Sequence, residues 1–177
     1  MKPRGVMSST RPFLDIVRCV MRCGNGRVLA QSRPGYLRFA GGDVRPGEHR
    51  IDSGVRQTYE QTGAVLDGVE HFATVNVPWT HEWAKSDAER LQRFGRYAGA
   101  REHILIGWVS RFDGTFGGEA RWHGPSTMTL TGAMGHMQTT EHLQSFAFRN
   151  LHATQMCALH TLCAIELDHG FHRDDPS

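Results

Sequence analysis

The feature that most constrains the fold of this 177-residue chain is a loop rich in glycine and proline that runs directly into a helix pattern. The loop covers residues 41–48 and contains two adjacent glycines and a Pro-Gly pair. Residues 50–62 have helical periodicity, and Gly63 stands where a helix C-cap belongs. The apolar positions of this helix recur every fourth residue and are Ile51, Val55 and Tyr59. We therefore predict a loop–helix unit that buries this apolar stripe.

Strand and helix patterns mix along the rest of the chain, which predicts an α/β protein. Apolar or alternating runs predict strands over residues 13–23, 27–31, 65–77 and 103–112, and residues 33–39 lead into another short strand. Helix patterns cover residues 82–97 and 139–168. The apolar positions of the second helix are predicted at Leu143, Phe146, Leu151, Leu159, Leu162 and Ile165. We expect one α/β/α sandwich with a mixed sheet and a long C-terminal helix.

The predicted domain spans residues 13–170, between a loose tail at 1–12 and a polar tail at 171–177. Hydrophobic residues make up 39% of the chain and charged residues 21%, which is typical of a globular protein. No apolar run approaches the roughly 20 residues that cross a bilayer. A net charge of +2 is too small to favour duplex nucleic acid as a partner. Because the first residues do not form a secretory signal, we expect a cytoplasmic protein whose four cysteines are reduced.

Residues 42–64, GDVRPGEHRIDSGVRQTYEQTGA, resemble the signature of the Nudix hydrolase superfamily. The preceding run at 36–42, YLRFAGG, is similar to the aromatic-led approach to the double glycine in that family. The positions that match the signature are Gly42, Glu48, Arg56, Glu60 and Gly63. The positions that depart from it are Gln57 and Gln61, where the family has glutamates, and Thr58, where it has an aliphatic residue. The resemblance implies a Nudix sandwich whose cleft lies between the helix at 50–62 and the strand at 103–112.

The resemblance also implies a divalent cation, Mg²⁺ or Mn²⁺, that neutralises a diphosphate during attack by water. Helix carboxylates three and four residues apart share one face and can hold such an ion together. Two of the three expected carboxylates are amides here, so we expect a reduced metal site. Its predicted ligands are Glu60, Glu119 and the backbone carbonyl of Gly42. The predicted catalytic residues are Glu48, Arg56, Glu60 and Glu119. Glu48 and Arg56 would hold the loop, Glu60 would hold the metal, and Glu119 would assist as a ligand or a base.

Other side chains near this segment are candidates for binding the substrate. The predicted substrate-binding residues are Arg33, Arg38, Phe39, Gln57, Gln61 and His103. Residues 78–101 are an insertion between strands, long enough to act as a lid. Its aromatic and arginine side chains could hold a base and phosphates, or Trp79 and Phe94 could belong to the core while the arginines face solvent.

Three functions remain open from the sequence. The first is a hydrolase of a nucleoside diphosphate linked to another group, for which the chain has a faint similarity to the GDP-mannose hydrolases, with His123 as a substitute for their histidine base. The second is a relative that binds a nucleotide without hydrolysing it. The third is a module for a protein or RNA partner. The long C-terminal helix makes a homodimer a further expectation.

Overall fold

The structure of the chain, a computed structural model, describes residues 11–24, 26–113 and 127–170, with side chains as far as residue 165. The strands are β1 (Phe13–Cys23), β2 (Arg27–Leu29), β3 (Gln31–Arg33), β4 (Tyr36–Arg38), β5 (Ala40–Asp43), β6 (Ala64–Pro78), β7 (Gly99–Phe112) and β8 (Thr127–Thr129). The helices are α1 (Arg50–Thr62), α2 (His81–Ala84), α3 (Ala88–Arg96), α4 (Leu130–Thr140) and α5 (Phe146–Gly170). A short 3-10 turn at Glu141–Leu143 connects the last two helices.

The main sheet is mixed, as predicted, and has the strand order β6-β7-β1-β2-β8. Its central pair, β1 and β7, runs parallel from Phe13 opposite Gly99 to Arg22 opposite Trp108. The remaining pairs of this sheet are antiparallel. Strand β5 pairs with the first half of β1 and β2 with its end, while β3 and β4 form a separate hairpin. The central strands β1 and β7 have apolar runs because α1 covers one of their faces and α4 and α5 cover the other.

Alternation along β1 divides the core into two layers. Val17, Cys19 and Met21 are fully buried in the cluster that includes Leu105 and faces α1. Val20 belongs to the opposite cluster, which β7 and the two C-terminal helices complete with Ile104, Ile106, Met137, Leu159 and Leu162. Because successive side chains of a strand point to opposite faces, one sheet supplies both layers. The structure is thus the expected helix–sheet–helix arrangement.

Helix α1 confirms the predicted bounds but not the predicted buried face. Gly63 adopts the left-handed conformation at φ 72°, and its N–H donates to the carbonyl of Tyr59 at 2.8 Å, as a C-cap should. Val55 and Tyr59 are 37% and 42% exposed, so the prediction that they form a buried stripe is wrong. The buried face instead consists of Ser53, Gly54, Gln57, Thr58, Gln61 and Thr62. Small and polar residues let α1 lie close to the sheet and bond to backbone groups of the loop.

The insertion at 78–101 contains two helices where the sequence predicted one. Helix α2 ends at Ala84, and α3 starts after Asp87, whose side chain accepts a hydrogen bond from the N–H of Arg90 at 3.0 Å. This N-cap separates the two helices, because an Asp cap favours an extended backbone at its own position. Trp79 is buried and packs with Ile16, as one of the two interpretations of the insertion expected.

The predicted C-terminal helix is also divided. Gln144 adopts an extended backbone with ψ 127°, which ends the 3-10 turn before α5 begins. Leu143 and Phe146 are consequently 59% and 89% exposed rather than buried, whereas Leu151, Leu159 and Leu162 lie in the core as predicted. Helix α4, which no sequence pattern indicated, caps its N-terminus with the Thr129 side chain.

None of the described helices is both long enough and apolar enough to cross a bilayer.

All four cysteines are free thiols. Burial raises the pKa of the Cys19 thiol to about 11, because the charged thiolate would lose its hydration. Its Sγ lies 3.6 Å from the carbonyl oxygen of Gly54 on α1.

We expect Gly54→Ala to destabilise the fold by about 1–3 kcal/mol, because the added methyl group would overlap the Leu105 side chain and press on Cys19 Sγ. Gly95→Ala is the matched control, since Gly95 also lies in a helix but has nothing within 4 Å of an added Cβ. That substitution should stabilise the protein slightly by restricting the unfolded chain. Urea unfolding of the two variants measures both effects, and equal free energies of unfolding would contradict close packing of α1.

Candidate functional site

The double glycine of the loop is required by the close approach of two strands. Gly41 has φ 144°, and a Cβ at this position would collide with the backbone carbonyl of Val17 on β1. Gly42 leaves room for the Gln57 side chain, whose Oε1 occupies the space that a Cβ would need. Strand β5 therefore lies close beside β1 in the sheet, and its carbonyl groups come within reach of the α1 side chains.

Arg56 joins the loop to the helix, as predicted. Its Nε and an Nη donate to the two carboxylate oxygens of Glu48 at 2.7 and 3.0 Å, and its other Nη donates to Glu60 at 2.9 Å. Glu48 also accepts the N–H of Arg45 at 3.1 Å. The hydrogen bonds from Arg56 lower the pKa of Glu48 from 4.5 to about 2. The structure thus brings three of the predicted catalytic residues together, with Arg56 between two carboxylates.

The two glutamines that depart from the signature bond to the backbone of β5. Gln61 Nε2 donates to the Gly41 carbonyl at 2.8 Å, and its Oε1 accepts the Gly41 N–H at 3.1 Å. Gln57 Nε2 donates to the carbonyl of Asp43 and to Ser53 Oγ, both at 3.0 Å. Both side chains are buried. An amide can meet a carbonyl oxygen directly, whereas a carboxylate in the same place would present oxygen to oxygen and would need a cation between them.

The hydrogen bonds of Gln57, Gln61 and Arg56 involve groups beside the predicted metal site. The amide N–H groups already occupy the carbonyl oxygens of Gly41 and Asp43, and Arg56 neutralises Glu60. Within the described part of the chain, no group of three His, Cys, Asp or Glu side chains is arranged to hold a metal ion. The described side chains alone therefore do not supply a complete set of ligands for a divalent cation. Glu119 lies outside the described residues, as does His123, so the ligand set of Gly42, Glu60 and Glu119 stays a prediction.

His103 belongs to a hydrogen-bonded chain on the α1 face of the sheet. Its Nε2 lies 2.9 Å from Asp15 Oδ1, and its Nδ1 lies 3.0 Å from Thr74 Oγ1. Thr74 in turn meets His71 Nε2 at 2.8 Å. Burial lowers the pKa of His71, and the positive charge of Arg50 lowers it further. This network connects the edge strand β6 to β1 through side chains.

The described cleft lies on the opposite face of the sheet from α1. It has a volume of about 750 Å³ and lies between β1 and β7, the β3–β4 hairpin, the insertion and the start of α5. At the centre of α1, Gly54 packs directly against Leu105 and leaves no space between the helix and β7, so the predicted cleft between α1 and β7 does not form at this point. Since Glu102 faces the cleft, the next residue of β7, His103, faces away from it.

Charged groups line both the floor and the rim of this cleft. Arg18 and Glu102 form an ion pair on the floor, with 3.0 Å between Arg18 Nε and Glu102 Oε2. On the rim, Arg93 of the insertion donates to Asp43 at 2.9 Å, at the end of β5. This contact joins the cleft wall to the strand that carries the double glycine.

Solved structures with a similar fold identify the family of this architecture. The chain is similar to a NUDIX hydrolase from Nitrosomonas europaea, with a TM-score of 0.55 and 13% sequence identity over 82% of this chain and 89% of that chain. The chain has the Nudix fold. It also matches the ORF135 protein of E. coli (TM-score 0.49, 18% identity, 93% of this chain and 96% of that chain). A pyrophosphohydrolase of Bacillus subtilis, BsRppH, matches with a TM-score of 0.42 and 17% identity over 63% of this chain and 58% of that chain. No protein-family model and no curated protein matches the chain.

On the Nudix fold, the remaining predicted residues fall into different places. Arg38 and Phe39 line the cleft, whereas Arg33 donates to Gln31 at 3.0 Å and is not part of the cleft wall. Sequence reasoning did not predict the ion pair of Arg18 and Glu102 on the cleft floor. Their signal was present as charged residues inside otherwise apolar strands, since a buried charge in a strand requires a partner.

The lowered pKa of Glu48 predicts how stability changes with pH. Because the folded pKa of about 2 lies below the ordinary 4.5, the Glu48–Arg56 interaction contributes fully above about pH 4.5, and its contribution is lost as pH falls toward 2. Glu48→Gln should therefore flatten the pH dependence of the free energy of unfolding in this window. Glu70→Gln, at an exposed position, should leave it unchanged. Urea titrations at several pH values measure this, and parallel curves for both variants would contradict it.

Proposed function

We propose that this chain binds a nucleoside diphosphate, free or linked to another group, without hydrolysing it through a helix-bound metal. The observation that carries the proposal is the pair of amide contacts from α1 to β5, in which Gln61 and Gln57 bond to backbone carbonyls directly. These side chains stand where the Nudix signature has two of its glutamates. A loop that is held by amides keeps its shape with no cation present.

The cleft supports a nucleotide as the ligand. Its walls combine aromatic rings, which can stack on a base, with Arg38, Arg90 and Arg93, which can bind phosphate oxygens. Arg93 also bonds to Asp43, so a diphosphate that reaches the end of β5 would meet a guanidinium already positioned there. The cleft is also lined by Asp87, Glu89 and Glu102, and Glu89 pairs with Arg93, so a diphosphate bound there would replace a carboxylate as the partner of a guanidinium.

The test is calorimetric titration of GDP and ADP into the full chain, once with excess Mg²⁺ and once with a chelator. We expect affinities that agree within about twofold and no release of phosphate or nucleoside monophosphate. Binding that disappears with the chelator, or turnover that depends on Mg²⁺, would contradict the proposal.

We expect Gln61→Glu to destabilise the metal-free protein by about 2–4 kcal/mol, because a buried carboxylate would face the Gly41 carbonyl and lose its donated hydrogen bond. Adding Mn²⁺ should recover part of this loss, since a cation can bridge the two oxygens. Gln92→Glu, on the exposed surface of α3, is the matched control and should respond to neither change. Thermal unfolding with and without Mn²⁺ measures both effects. A Gln61→Glu variant as stable as wild type would show that the amide does not hold the loop.

One observation favours a second candidate, a Mg²⁺-dependent Nudix hydrolase with a reduced metal site. Glu48, Arg56 and Glu60 keep the arrangement that the signature implies, and Glu60 is 39% exposed and therefore accessible to an ion. Glu119 would complete this site. Screening a set of nucleoside diphosphate derivatives with Mg²⁺ and Mn²⁺ tests this candidate. Turnover that Glu60→Gln abolishes would establish it, and an absence of turnover across the set would remove it.

A further inference from the structure

The insertion carries a stack of rings on the cleft wall. Trp83 of α2 stacks on Trp79, with ring centroids 4.5 Å apart and planes inclined by 21°. Trp79 is 8% exposed and fixed in the core, whereas Trp83 is only half-buried, and both line the cleft. The stack is therefore a rigid base with an accessible outer ring, which is how proteins present a surface for a flat ligand.

A guanidinium covers the outer ring of the stack. The Arg90 Cζ atom lies 5.2 Å from the centre of the Trp83 ring. Arg90 is exposed, and its Nη donates to Ser86 at 3.3 Å. A long exposed side chain can move aside and close again over a bound ring, so that the ring lies between an indole and a guanidinium.

The same face of α3 carries a second arginine one turn further on. Arg93 follows Arg90 by three residues, so the two side chains share one helix face, and both line the cleft. Arg93 bonds to Asp43 of β5. A ligand that places a ring at Trp83 would thus direct an attached anionic group along α3 toward Arg93 and the end of β5.

We infer that Trp83 and Arg90 form the base-binding subsite of the cleft and that they favour a purine nucleotide over a pyrimidine nucleotide. This inference rests on the proposed nucleotide binding and adds to it where the base lies and which bases are preferred. A purine presents two fused rings to Trp83, and stacking strength grows with the overlapping ring area. Arg93 then receives the phosphates.

The experiment measures the affinity of the full chain for GDP, ADP, UDP, CDP and inorganic pyrophosphate by calorimetry, with tryptophan fluorescence as a second readout. Both purine nucleotides should bind about tenfold more tightly than both pyrimidine nucleotides, in the range that stacking on one aromatic side chain supplies. Trp83→Leu should weaken purine binding by about tenfold and leave pyrophosphate binding nearly unchanged. Arg90→Gln should weaken purine binding by a smaller factor.

The chain offers a matched control for the tryptophan. Trp108 of β7 is also half-buried beneath an arginine, with Arg22 Cζ 5.5 Å from its ring centre, but it is not part of the cleft wall. Trp108→Leu should leave all affinities unchanged. Equal binding of the four nucleotides, or an equal effect of the two tryptophan variants, would overturn this inference and leave the proposed function standing. Binding of none of the five compounds would overturn both. The comparison of purine with pyrimidine nucleotides uses the wild-type chain alone, so it tests the purine preference even if a variant fails to fold.

Discussion

The bidentate contact between Gln61 and the backbone of Gly41 determines how the loop, the helix and the sheet are arranged. One amide group both donates to and accepts from the same residue, so it fixes the distance and the orientation of α1 relative to β5. That geometry requires glycine at 41, because any side chain would collide with β1. It also requires a thin helix face, which Gly54 provides over Leu105. The polar buried face of α1 follows from this contact, since the helix bonds to strand backbone as well as packing on apolar side chains.

Charge is distributed differently on the two faces of the sheet. On the α1 face, Arg56 lies between Glu48 and Glu60, and the pKa of Glu48 is about 2, so this carboxylate remains ionised at any physiological pH. On the other face, the cleft is lined by arginines of the insertion and of β1 and β4 together with the carboxylates of Asp87, Glu89 and Glu102. The first arrangement stabilises the loop, and the second places charges of both signs around an open cleft. Arg93 and Asp43 are the contact through which the two regions meet.

The sequence allowed the architecture to be predicted better than the site. The bounds of α1, its left-handed cap at Gly63 and the mixed sheet could be predicted, because glycine, proline and strand periodicity act locally. The buried face of α1 could not be predicted from the sequence. Apolar residues are usually buried, but here the face of α1 that bonds to backbone groups is polar, and Val55 and Tyr59 are exposed. The cleft on the side of the β3–β4 hairpin could not be predicted, because a strand pattern does not reveal which elements cover each face of the sheet. The break before α5 depends on the backbone of Gln144, which has no strong local signal.

The parallel pairing of β1 with β7 has a consequence for the order in which the chain can fold. Phe13 pairs with Gly99, 86 positions later, so the two strands at the centre of the sheet come from distant parts of the chain. During synthesis, β1 must wait without its central neighbour until β7 has left the ribosome, although β2 and β5 can pair with it earlier. Because β2 and β5 lie on the side of β1 away from β7, the edge of β1 that receives β7 keeps its backbone groups unpaired until the later strand arrives, which is when this edge is most open to pairing with other chains.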